Sequence, residues 1–116
     1  MNIEDFRNFC LSLPAVEEDL PFGPDTLVFK VAGKMFALTN IEVFESINLK
    51  CDPEKAVELR ERYDAVTPGY HMNKKHWNTV LTDGLPDALL LEWTRESYDL
   101  VVKGLPKKVR EEIQGK

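Results

Sequence analysis

The chain has 116 residues, 43% of them hydrophobic and 30% charged, with a formal net charge of −5 and a sequence pI near 5.0. That length suits one domain with its own core and leaves no room for two, and no apolar run is long enough to cross a membrane as a helix. The acidic balance excludes a domain built mainly to neutralise phosphates, so any contact with nucleic acid must be local.

The opening Met1-Asn2-Ile3-Glu4-Asp5 is acidic where a signal peptide would be basic, which points to a cytoplasmic protein. Asn2 is placed to cap a helix in which Ile3, Phe6, Cys10 and Leu13 recur at helical spacing and which Pro14 ends. Cys10 and Cys51 lie far apart in apolar surroundings and read as reduced, packed thiols. Residues 15 to 24 read as a loop whose Glu17, Glu18 and Asp19 face water, with Phe22 of Pro21-Phe22-Gly23-Pro24 anchored in the core. Thr26 to Val31 and Lys34 to Thr39 alternate as a hairpin turning at Ala32-Gly33. A two-residue turn sets Leu27 opposite Leu38 and Phe29 opposite Phe36 on a core face, leaving Val28, Lys30, Met35 and Ala37 on the other.

A third strand runs from Val43 to Lys50 with Ile47 and Leu49 inward. Asp52-Pro53-Glu54 supplies a cap, a first-turn proline and a first-turn carboxylate, and so starts a helix with Ala56, Leu59, Arg60 and Tyr63 on one face. Residues 64 to 67 lead into Pro68-Gly69-Tyr70-His71-Met72-Asn73-Lys74-Lys75-His76-Trp77-Asn78, followed by a strand from Thr79 to Thr82 and an Asp83-Gly84 turn. Pro86-Asp87 opens the longest helix, which reaches Lys103 and stops at Gly104; Pro106 starts a short terminal helix docked by Val109 and Ile113. The order α-β-β-β-α-β(β)-α-α, with short connections, predicts an α+β two-layer sandwich: one antiparallel sheet with helices packed on one face.

The Tyr70-His71-Met72-Asn73-Lys74 and His76-Trp77-Asn78 strings resemble the MmcQ/YjbR family of small bacterial proteins. Pro21-Phe22-Gly23, Phe29-Lys30-Val31, Gly33-Lys34-Met35-Phe36, Asn48-Leu49-Lys50-Cys51 and Gly104-Leu105-Pro106-Lys107-Lys108 extend the likeness over nearly the whole chain. The resemblance implies the same two-layer architecture, shared with frataxin-like and secretion-chaperone-like domains, and it implies DNA binding. Fold alone does not choose among the jobs such domains do.

The chemistry legible in the residues is sparse. His71 and His76 are five apart, which matches neither one-turn helical spacing nor a Cys-x-x-Cys frame, so no metal and no cofactor is expected. Neither serines nor cysteines sit in a nucleophile elbow, the six glycines are scattered, and a non-enzymatic protein is expected. From Pro68 through Thr82 there are two lysines and no acid. Tyr70, His71, Asn73, Lys74, Lys75 and His76, joined by Lys107 and Lys108, are therefore the candidate nucleic-acid contacts, cations for phosphates beside rings for bases. The same segment also reads as packing, with Tyr70 and Trp77 in the core, Met72 filling a gap and Asn73 capping a turn. The alternative partner surface is the open sheet face at Val28, Lys30, Met35 and Ala37, binding another protein or a small ligand, the chain being a monomer or weak dimer.

Overall fold

Local signals in the sequence start and stop the helices. In the computed structural model, which describes residues 1–69 and 72–115, the Asn2 side chain accepts the Asp5 N–H and the Asp5 carboxylate accepts the Asn2 N–H, closing a capping box on α1 (Ile3–Ser12). Asp52 likewise caps α2 (Pro53–Arg62), with Pro53 in its first turn. The long α3 (Asp87–Lys103) stops at Gly104, and α4 (Lys107–Gln114) follows Pro106.

Six strands, β1 (Val16–Asp19), β2 (Thr26–Val31), β3 (Lys34–Asn40), β4 (Ser46–Lys50), β5 (Val66–Pro68) and β6 (Trp77–Leu81), form one antiparallel sheet in the order β1-β2-β3-β4-β6-β5. The α+β two-layer class is as the sequence predicts. The acidic stretch expected to be loop is instead the edge strand β1. Val16 pairs with Val31 and Glu18 with Phe29 on the helix side, where Arg7 of α1 donates to Glu18 at 2.6 and 2.7 Å. Charged side chains on an edge strand also discourage pairing with another chain.

The hairpin turns at Ala32-Gly33, both at positive φ, as a two-residue hairpin turn requires. Its register corrects the expected pairing. Lys30 faces Met35, but Phe29 faces Ala37, so Phe36 is an extra, bulged residue. Phe36 and Ala37 therefore both enter the main core, and Leu38 turns to the opposite face beside Val28. The core lies between the sheet and α1, α2 and α3. Phe6 meets Phe29 edge-on at 5.8 Å and Phe36 meets Tyr98 at 5.4 Å. Ser97 of α3 donates to the Phe36 carbonyl at 2.5 Å and accepts the Lys50 N–H at 2.8 Å, fastening the helix to β3 and β4. On the other face Val28, Leu38 and Trp77 make a smaller buried cluster, covered in part by Met35 and Met72.

Antiparallel pairing sorts the connections to two ends of the sheet. One end gathers the Ala32-Gly33 turn, the junction at Cys51-Asp52 and the β5–β6 loop. The other gathers residues 20–25, 41–45 and 82–86. The first end carries Lys34, Lys50, Lys74 and Lys75, with Asp52 the one acid in its three connections. The second carries Asp25, Glu42, Glu45 and Asp83, with no lysine or arginine in those three connections.

Candidate nucleic-acid interface

The β5–β6 loop is built on Trp77, which is only 7% exposed and packs with Val28 and Leu38. The loop closes where Gly69 donates to the Trp77 carbonyl at 2.8 Å. A Cβ on Gly69 would stand 2.7 Å from the Trp77 Cβ and 2.9 Å from its carbonyl oxygen, so the crossing needs glycine. Inside the loop Asn73 makes a tight turn. Its side-chain oxygen accepts the Lys75 N–H at 3.0 Å, and its carbonyl accepts the N–H groups of His76 and Trp77 at 3.1 and 2.9 Å.

Two contacts from outside lock this turn in place. The Cys51 N–H donates to the His76 carbonyl at 2.7 Å, tying the loop to the end of β4. Arg60, in the last turn of α2, sends its guanidinium to the Asn78 side-chain oxygen at 2.7 Å, to the Trp77 carbonyl at 3.3 Å and to the Lys74 carbonyl. Asn78 is buried and passes its own amide to the Ala56 carbonyl at 3.4 Å. Arginine's fork suits this work, since several donors in one plane satisfy three oxygens at once.

The result is a turn hydrogen-bonded on several sides that leaves Lys74 and Lys75 in solvent, with His76 half-buried. A shallow groove of about 670 Å³ runs between this turn and α2, lined by Pro53, Glu54, Val57, Arg60, Lys74 and Lys75. Lys50, opposite Trp77 in the register, adds a half-buried cation on the open face, and Lys34 adds an exposed one at the hairpin turn. A narrower, largely apolar cavity of about 210 Å³ between α2, α3 and β4 touches Lys50 but none of the contacts expected from the sequence; Cys51 lines it, and burial raises that thiol's pKa.

Of the residues singled out in the sequence, Asn73, Lys74, Lys75 and His76 come together in this turn; Tyr70 and His71 lie outside the described residues. Lys107 and Lys108 are exposed on α4, whose Val109 and Ile113 sit beside Ala15, Ala32 and Gly33. They share the basic end but not the loop, because β2 and β6 are three strand spacings, roughly 14 Å, apart. Lys107 also reaches Glu111 at 3.9 Å. The alternative surface is smaller than expected: Val28 and Ala37 are fully buried, Ala37 on the helix side. Lys30 is bound to Asp19 at 3.2 Å, and Met35 is half-buried against Val28's cluster. Arg60 and Gly69 were not among the candidates, and no signal near them in the chain announces either contact. Among the described residues no three His, Cys, Asp or Glu side chains gather as a metal would need, and no helix is long and apolar enough to cross a membrane.

Fold and site together define a small two-layer α+β domain with one basic loop set against an acidic body. The chain belongs to the YjbR family, whose model matches residues 11–100. It is 41% identical to the uncharacterized protein YbdF of Escherichia coli O157:H7 over 113 residues, covering 96% of this chain and 93% of that one. It is 33% identical to the uncharacterized protein YjbR of Escherichia coli strain K12 over 112 residues, covering 95% of each. Among solved structures it is similar to the Deinococcus radiodurans protein DR2400, at a TM-score of 0.91 and 45% identity over 97% of this chain and 88% of that one. A Pseudomonas syringae protein is similar at a TM-score of 0.72 and 29% identity, over 86% of this chain and 98% of that one.

Proposed function

We propose that this protein is a cytoplasmic binding protein, not an enzyme, and that it contacts DNA through the basic end of its sheet. The observation that carries this reading is the Asn73–His76 turn: two exposed ammonium groups on a backbone fixed by Arg60, Cys51 and Trp77. A backbone already in place leaves only the two lysine side chains to order on meeting phosphates, and Lys34 and the half-buried Lys50 add cations at the same end. The acidic groups of the opposite end, a sheet's length away, repel the duplex and orient the approach. They also limit affinity. With few phosphates neutralised, dissociation constants fall in the non-specific range of about 1–100 μM at physiological salt.

Fluorescence anisotropy of a labelled duplex across a salt series tests this. Lys74→Ala/Lys75→Ala should weaken binding and shrink the slope of log affinity against log salt by about 1–2, one counterion for each phosphate that the variant no longer neutralises. No parent binding at low salt, or an unchanged slope in the double variant, removes DNA from this end.

A further inference from the structure

The acidic end has a property that the basic end lacks. Six large apolar side chains stand out as exposed among the described residues, and five of them are here: Leu20, Phe22, Ile41, Val43 and Leu81, with Phe22 the most open at 62%. Leu81 is four strand spacings from Leu20, but Phe22 and Val43 stand on two neighbouring connections, and exposed apolar groups on adjoining loops mark an interaction site where single ones are ordinary. The sequence setting of Phe22 suggested a core anchor, but its ring stands in solvent.

The supporting loops are fixed to one another. The Ile41 N–H donates to the Asp25 carbonyl at 2.8 Å and the Thr82 N–H to the Glu45 carbonyl at 2.9 Å. Asn40 accepts the N–H groups of Glu42 and Val43 at 2.9 and 3.0 Å, and Gly23, at φ +122°, shapes the turn that lifts Phe22 outward. The patch is therefore preformed. Asp25, Glu42, Glu45 and Asp83 surround it, all exposed and none of them in an ion pair among the described residues.

We propose that this end docks a protein segment in which apolar side chains are interleaved with lysine or arginine. The apolar groups of such a segment would cover Phe22 and Val43 while its cations meet the ring of carboxylates, a complementarity that rejects other occupants. A second copy joined by a two-fold axis would set these carboxylates against themselves, and an anionic membrane or a nucleic acid would be repelled outright.

The test uses the full chain, isotope-labelled, titrated with a synthetic amphipathic peptide of leucine and lysine and with its leucine–glutamate counterpart. Saturable NMR shifts at residues 20–25, 41–45 and 81–83 with the lysine peptide alone are expected. Phe22→Ser should weaken that binding roughly tenfold or more, and Val57→Ser, the exposed apolar residue elsewhere, should leave it unchanged. Absent binding, equal binding of the glutamate peptide, shifts confined to other surfaces, or indifference to Phe22→Ser would overturn the proposal. Sedimentation of the chain alone gives one more outcome: a dimer dissolved by Phe22→Ser would overturn it too, by assigning the surface to a second copy.

Discussion

The two ends of the sheet use aromatic residues in opposite ways. At the basic end Trp77 is buried and serves as the root of a loop whose exposed charges are lysines. At the acidic end Phe22 is exposed, and Asp25, Glu42, Glu45 and Asp83 make no ion pair among the described residues. A net charge of −5 describes neither end. Antiparallel pairing collects three connections with acids and no lysine or arginine at one end and the lysine pair, beside Asp52, at the other, so a mildly acidic chain becomes a molecule with two electrostatically distinct poles.

The sharpest way to break this contrast is to truncate both rings. Trp77→Ala should cost about 3–5 kcal/mol, as for a buried aromatic, and Phe22→Ala should stay within about 0.5 kcal/mol. Urea melts decide, and equal midpoints would mean that the two aromatics play the same part. Arg60→Ala comes next, at about 1–3 kcal/mol, because it takes the guanidinium from the buried Asn78 side-chain oxygen and the Lys74 carbonyl, while the Trp77 carbonyl keeps Gly69. The variant should also bind duplex DNA more weakly although both lysines remain, which anisotropy reads directly. Smaller again, Lys74→Ala/Lys75→Ala should leave the urea midpoint within about 0.5 kcal/mol of the parent.

The smallest effect belongs to pH at the acidic end. The hydrogen bond from Arg7 holds the Glu18 carboxyl below its ordinary range, and the Leu20 N–H, then Lys30, do the same for Asp19. A carboxyl whose folded pKa is depressed stabilises the fold above its unfolded value and loses that contribution as pH falls through the folded one. The loss therefore begins below about pH 4, and it is slight because both pairs are exposed. Glu18→Gln should show a shallower acid-side decline in urea midpoint than the parent. An identical decline would mean that the Arg7 pair adds nothing to stability.

What could be read in the sequence was local. Asn2 and Asp52-Pro53-Glu54 announce their helices because caps are made by neighbours, and the Ala32-Gly33 turn by the same logic. The bulge at Phe36 could not be read, since Met35 to Leu38 looks like continuous alternation, whereas in the fold Phe36 packs on Tyr98 and Ala37 pairs with Phe29 on the same face. Strand β1 was hidden because an edge strand of carboxylates has no apolar alternation beyond Val16, and its partners lie on α1 and β2. The site divides in the same manner. The lysine pair and the Asn73 turn are visible as a string, but the hold of Arg60 on Lys74 and the approach of Gly69 to Trp77 join residues that only the fold brings together. The polarity of the molecule was equally invisible, because Asp25, Glu42, Glu45 and Asp83 become one surface only once the strands pair.

NMR titration of the labelled chain with a short DNA duplex at low salt tests the division of labour between the two ends most directly. Shifts are expected at Lys34, Lys50 and residues 73–76, reversed by added salt, with residues 20–25 and 41–45 unmoved. Shifts centred on Phe22 and Val43, or spread evenly over both ends, would contradict it.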